Sequence, residues 1–193
     1  MEAEVIRVEK NWEKRFQSFG NMFNFEENVQ SSETHLDFGC GFGSFAKILA
    51  ERYPNVQVYG IDSDKEKIQT GNRRYSLPNL RLIHSDKTTG KYDSITSFLV
   101  LHEIANVRGV LNDLYEHLTK DGRIMVYEFR RTSRAKYRQW FVKGRPGRIF
   151  EEEYQKHNRW SVREFREMCR NVGFRTVDLK PLGNRWLIYI CKK

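Results

Sequence analysis

The sequence predicts an α/β fold: a mostly parallel sheet with helices on both faces, ending in a C-terminal antiparallel β-hairpin. Three observations predict it. In the stretch from Thr34 to Ala50, apolar Leu36 and Phe38 flank Asp37, glycines follow at 39, 41 and 43, and Phe45, Ala46, Ile48, Leu49 and Ala50 then recur at helical spacing. That order reads as strand, glycine turn, helix. Residues 56–61 form a second apolar run ending in Asp62, 19 residues beyond Gly43, where a βαβ nucleotide site places an acid for a ribose. Finally, 174–179 and 185–191 are strand-like runs joined only through Pro181, Leu182, Gly183 and Asn184. A connection that short forces antiparallel pairing.

The remaining elements follow in order. Val5, Val8, Trp12, Phe16 and Phe19 or Phe23 recur at three and four with charged residues between them, which predicts an amphipathic N-terminal helix. After Asp62, a helix is expected over 65–74 with Asp64 at its start, then a turn at Pro78 and Asn79 and a third strand over 80–83. A fourth strand is expected over 92–99, a helix over 107–118, a turn at Lys120 to Gly122 and a fifth strand over 122–129. Ser161 with Glu164 three residues on forms a capping-box pattern. Phe165, Met168, Cys169 and Val172 give the helix that follows an apolar stripe, and Gly173 ends it.

Length and composition bound the function. A chain of 193 residues, 39% hydrophobic and 31% charged, suits one domain spanning 1–193. No apolar run approaches the roughly 20 residues needed to cross a bilayer, and Met1 to Glu4 is acidic where a signal peptide would be basic, so the expectation is a cytoplasmic protein. Cys40, Cys169 and Cys191 are odd in number and form no C-x-x-C pair. They read as reduced thiols in packed positions, and no metal is expected.

The glycine turn lets a ligand approach the backbone, and the helix start beyond it favours an anion. The dinucleotide fingerprint G-x-G-x-x-G is not met, because position 44 is Ser44 and the third glycine stands one place early. The run Asp37-x-Gly39-x-Gly41-x-Gly43, with Asp62 closing the second strand, resembles the class I S-adenosylmethionine (SAM) dependent methyltransferases. The resemblance runs from about Thr34 to the C-terminus and implies a Rossmann-like seven-stranded sheet with a terminal hairpin.

It also implies site roles. Gly39, Gly41 and Gly43, with neighbouring Phe38 and Cys40, would approach the methionine portion of SAM, and Asp37 its amino end. Asp62 beside Ser63 would take the ribose hydroxyls, and Asp86 beside Ser85 the adenine. The pair Leu101-His102 matches a common family feature after the fourth strand, placing His102 beside the sulfonium end as the candidate base. Tyr127 and Glu128 are the alternatives. In this family the segment before the first strand often caps the cofactor pocket, so residues 1–33 read both as a helix packed on the sheet and as an aromatic lid.

The basic charge is local. From Arg130 to Arg148 there are eight basic residues and no acid, leaving 26 basic against 25 acidic residues elsewhere in a chain of net charge +9. Ser133 is expected to cap a short helix that Gly144 and Pro146 end, with Tyr137, Trp140 and Phe141 on one face. This makes 130–160 a basic aromatic insertion over the substrate edge of the sheet, with Arg130, Arg131, Arg134, Tyr137 and Trp140 as candidate acceptor-binding residues. No Asn-Pro-Pro-Tyr-like run follows the fourth strand, and no Pro-Cys or Thr-Cys pair is present. The expected function is methyl transfer to a small anionic acceptor, the acceptor atom staying open among O, N, S, C and a metalloid. An RNA methyltransferase that uses the basic segment on phosphates, and a non-catalytic SAM-binding module, are the competing readings. Oligomeric state is left open.

Overall fold

Strand β1 (Thr34–Phe38) is buried from His35 onward and pairs in parallel with β2 (Gln57–Asp62) on one side and β4 (Tyr92–Phe98) on the other. The computed structural model describes residues 2–141 and 149–193 of the chain. Gly144, Pro146 and the basic residues Lys143, Arg145 and Arg148 fall outside them. The sheet has seven strands in the order β3-β2-β1-β4-β5-β7-β6, with β3 (Leu80–His84), β5 (Leu118–Phe129), β6 (Thr176–Leu182) and β7 (Trp186–Lys192) completing it. Strands β1 to β5 run parallel; β7 is antiparallel to β5 and β6 to β7. The sheet and its closing hairpin are those expected.

Alternation along each strand sends side chains into two cores. On one face Met125 and Tyr127 of β5 pack with Phe45 and Leu49 of α2 (Ser44–Arg52) and Phe23 of α1 (Glu2–Phe23). Val5 in the first turn of α1 is buried, and Trp12 lies against Phe45 and Phe98 at ring-centroid distances of 5.1 and 5.8 Å. On the other face Ile124 and Val126 pack with Leu111 and Leu114 of α4 (Val107–Glu116) and Phe165 and Cys169 of α7 (Val162–Val172). The capping box at Ser161 and Glu164 starts α7, and Gly173 follows its last residue. Cys169 and Cys191 are buried free thiols with sulfurs 3.8 Å apart. Between these lie α3 (Lys65–Arg74), α5 (Arg134–Phe141) and α6 (Phe150–His157).

Some element boundaries differ from expectation. Helix α4 stops at Glu116, and β5 begins at Leu118 rather than Gly122. Leu118 pairs with Tyr92, the ladder then jumps to Arg123 opposite Ser94, and Thr119 to Gly122 bulge out between them. A turn signal inside a strand thus marks an irregularity in pairing. Strand β6 extends to Leu182 through Pro181, which an edge strand tolerates because its outer face needs no donor.

The turn between α2 and β2 is held from β3's side. Buried Asn79 donates its amide to the carbonyls of Ala50 (2.9 Å), Tyr53 (3.3 Å) and Val56 (3.0 Å). Asn79→Ala should therefore lower unfolding free energy by about 1–3 kcal/mol, measured as a reduced urea midpoint at unchanged slope; an unmoved midpoint would remove this role.

Candidate active site

The loops at the carboxyl ends of β1, β2, β3 and β4 surround a cavity of about 680 Å³. The first turn contributes Asp37, Phe38, Gly39, Cys40 and Gly41; Asp62 and Ser63 come from the end of β2, and Ser85 and Asp86 from the end of β3. The turn is tied to β2: the N–H groups of Gly39 and Cys40 both donate to the Ile61 carbonyl at 2.9 and 3.0 Å, and Gly41 N–H donates to Asp62 Oδ2 at 2.7 Å. Asp62 Oδ1 accepts from Asp64 N–H at 2.9 Å. Its carboxylate is thereby fixed by backbone on both oxygens, with lone pairs left toward the cavity. Gly41 has φ +58° and nothing within 4 Å of where a Cβ would stand, so its open face borders ligand space.

Asp37 is buried at 3% exposure. Burial, reinforced by the charge of Asp62, pushes its carboxyl up to about 7, against the Thr96 hydroxyl and Ala46 N–H that favour the ionised form. Asp37, Asp62, Asp86, Glu4 and Glu103 around one cavity, against the single cation Lys67 among its described lining residues, complement a cationic ligand, and SAM carries both a sulfonium and an ammonium charge. The residues present therefore fit that cofactor.

A second cavity of about 370 Å³ adjoins the first, the two sharing Leu99 and Glu103. It is lined by Phe129, Trp186, Tyr137, Trp140 and Phe141, with Arg15, Arg185, His102, His157 and Glu153 among them. His102 stands in a turn, Leu101–Glu103, directly after β4. Its Nδ1 lies 2.9 Å from Glu128 Oε2, its backbone N–H donates to Glu128 Oε1 at 3.3 Å, and its Nε2 is 3.4 Å from Glu103 Oε1. His157 stacks on Phe129 at 3.6 Å, meets the His102 ring edge-on at 4.9 Å, and shares a 2.6 Å hydrogen bond with Tyr137 Oη through Nδ1.

Several expected residues lie elsewhere. Gly43, at φ +77°, turns its α-carbon toward β3, where a Cβ would stand 2.5 Å from Leu82; it is a packing glycine and does not line the cavity. Leu101 is fully buried in the α4 core. Tyr127 points to the sheet face opposite Glu128 and packs against Phe98 and Trp186, lining neither cavity. Arg130, Arg131 and Arg134 also line neither cavity. Arg131 pairs with Glu164, and Arg134 pairs with Glu151 and sits over the rings of Phe150 and Tyr154.

Sequence reasoning missed His157, Arg15, Arg185 and Leu99. Leu99 adopts φ +61° where the two cavities meet, a conformation that costs a non-glycine residue roughly 1–2 kcal/mol and is held by its N–H bond to the Tyr127 carbonyl at 2.9 Å.

The family described as methyltransferase domain matches residues 11–179. The chain belongs to this family, as a SAM-dependent methyltransferase of class I. Among curated proteins the methyltransferase is 26% identical over 177 residues to a demethylmenaquinone methyltransferase of Geobacillus sp., covering 79% of this chain and 75% of that protein. Its fold is similar to the plantazolicin methyltransferase BpumL, solved with a pentazolic substrate analogue and S-adenosylhomocysteine, at TM-score 0.74 and 15% identity over 100% of this chain and 89% of that one. Human N-acetylserotonin methyltransferase, solved with SAM, matches at TM-score 0.70 and 17% identity, with 56% of that chain covered. No helix among the described residues is long and apolar enough to cross a membrane, and no group of metal-ligating side chains occurs among them.

The raised Asp37 carboxyl has a sign that can be measured. The folded, unliganded protein holds this proton more tightly than the unfolded chain, so the stabilisation is complete below about pH 4 and is lost as pH rises through about 7. Wild type should gain up to roughly 4 kcal/mol relative to Asp37→Asn between pH 8 and pH 4, read from urea midpoints of both proteins. A pH-independent difference would mean that Asp37 stays ionised throughout.

Proposed function

We propose that this methyltransferase holds SAM in the first cavity and methylates a small anionic acceptor in the second, with His102 as the base. The observation that carries the reading is His102, held by buried Glu128, at the wall of a cavity that shares Leu99 and Glu103 with the cofactor-sized one. When bound, SAM supplies an electrophilic methyl group on its sulfonium. Asp62 would hold the ribose hydroxyls, Asp86 the adenine, and Asp37 the amino end of the methionine portion, around the open face of Gly41. Glu128 is 3% exposed and accepts from His102 Nδ1–H, so the lone pair of Nε2 is left to take a proton from the acceptor. The imidazolium so formed lies between Glu128 and Glu103. Aromatic walls and the lid helix α1, which adds Glu4, Val8 and Trp12 to the first cavity, exclude water while the two ligands are aligned.

The anionic preference now rests on different cations from those the sequence suggested. Arg15 and Arg185 line the second cavity, whereas Arg131 and Arg134 are engaged with acids of the same chain. With Arg131 and Arg134 already ion-paired, RNA phosphates have less to bind there, which favours the small acceptor.

His102→Ala should lower turnover by about 10² to 10⁴ while SAM affinity, by calorimetry, stays near wild type. Equal turnover would return His102 to packing, and wild-type protein that binds SAM without turning it over on a panel of hydroxy acids, phosphates and RNA would support a non-catalytic module. Asp62→Ala should weaken SAM and S-adenosylhomocysteine alike, by about 1.5–3 kcal/mol. For the acceptor, Arg15→Ala and Arg185→Ala should raise KM about tenfold or more, with Arg131→Ala and Arg134→Ala nearly silent. Steep salt dependence, log K falling by about 0.7 per contact and stepping down with each arginine of the basic segment, would instead establish the RNA reading.

A further inference from the structure

Beneath the first cavity a file of buried polar side chains runs between β1 and β4. Ser32 Oγ donates to Ser94 Oγ at 3.0 Å, Ser94 Oγ lies 2.7 Å from His35 Nδ1, His35 Nε2 lies 3.0 Å from Thr96 Oγ1, and Thr96 Oγ1 donates to Asp37 Oδ1 at 2.9 Å. His35, Ser94 and Thr96 are fully buried.

Each hydroxyl has one proton, and that count fixes the direction of the whole file. With Asp37 ionised, as at pH 8, its oxygen can only accept, so Thr96 gives its proton to Asp37, can only accept toward His35, and Nε2 must carry hydrogen. Burial holds the His35 imidazole neutral, its pKa lowered to about 3, so Nδ1 is bare. Ser94 must then donate to Nδ1, and it in turn accepts from Ser32. A buried imidazole locked in this way has no freedom to turn Thr96 away from Asp37.

We propose that His35 is a positioning residue for the cofactor: its Nε2–H tautomer commits the Thr96 hydroxyl to Asp37 Oδ1, fixing the carboxylate so that Oδ2 faces the ammonium of the methionine portion. The inference rests on the assignment of Asp37 to that ammonium. It adds residues outside the glycine turn to cofactor binding.

The tautomer is read directly, on the intact wild-type chain, from the ring ¹⁵N shifts of His35 at pH 8. An Nε2–H imidazole supports the proposal and Nδ1–H overturns it, whether or not any variant folds. His35→Phe and Thr96→Val should each weaken SAM binding about tenfold with kcat at saturating SAM unchanged, whereas His35→Gln, which restores a donor toward Thr96, and Thr96→Ser should bind within about threefold of wild type. In an Asp37→Asn background His35→Phe should add no further loss. If Asp37→Asn weakens SAM but His35→Phe lowers only the melting temperature, the relay is overturned and the cofactor reading stands. If Asp37→Asn itself leaves SAM affinity unchanged, the cofactor reading of Asp37 fails and the positioning role fails with it.

Discussion

Everything at the site depends on one topological constraint: β1 lies inside the sheet with β2 on one side and β4 on the other. The chain leaving β1 crosses toward β2, and the chain leaving β4 crosses toward β5, so their loops diverge and leave an opening at the carboxyl edge. The glycine turn fills the bottom of that opening because it is stitched to β2 by the N–H groups of Gly39, Cys40 and Gly41. The end of β4 closes its other wall, and Leu99 must enter the left-handed region to leave the strand there. Both cavities meet at this residue, so on the proposed reading the β1/β4 seam is the line along which cofactor and acceptor would touch.

Features encoded by backbone requirements were legible in the sequence, because such requirements leave local traces. The strand, glycine turn and helix, the acids at the ends of β2 and β3, and the terminal hairpin are all read from residues close in the chain. Gly43 shows the limit of spacing: a glycine that admits a ligand and one that admits a neighbouring side chain leave the same letter, and only the Leu82 side chain 2.5 Å from its would-be Cβ separates them. Arg131 and Arg134 show a second limit. Their run of positive charge contains no acid, yet Glu151 and Glu164, farther along the chain, fold back onto them. Local charge counting cannot see pairs made by helices that pack later in the chain.

His157 was missed for a related reason. As a lone histidine near the end of a helix with Glu153 one turn before it, it has the pattern of an ordinary i,i+4 pair. Its importance comes from α6 laying it on Phe129, the residue after Glu128, so that its ring meets His102 edge-on. Tyr137 of α5 bonds to the same imidazole. The described residues of the 130–160 segment therefore contribute to the second cavity Tyr137, Trp140, Phe141, Glu153 and His157, chiefly aromatics and one histidine.

The electrostatics of the two cavities then divide the work. Around the first, Asp37, Asp62 and Asp86 create a demand for positive charge, and burial makes that demand conditional: without a cation, Asp37 tends to keep its proton near neutral pH. A cationic cofactor that displaces this proton offsets the desolvation that raised the carboxyl. With Asp37 on the ammonium, as proposed, the site would distinguish a sulfonium donor from its demethylated product less at Asp37, where both carry the same ammonium, than at the sulfur, where only the donor is charged. The second cavity is lined by Arg15 and Arg185 together with Glu103 and Glu153, and the buried Glu128 is matched to His102. On the proposed reading one cavity holds a fixed charge and the other moves a proton, a division that follows from which side chains the β4 and β5 ends can bring together.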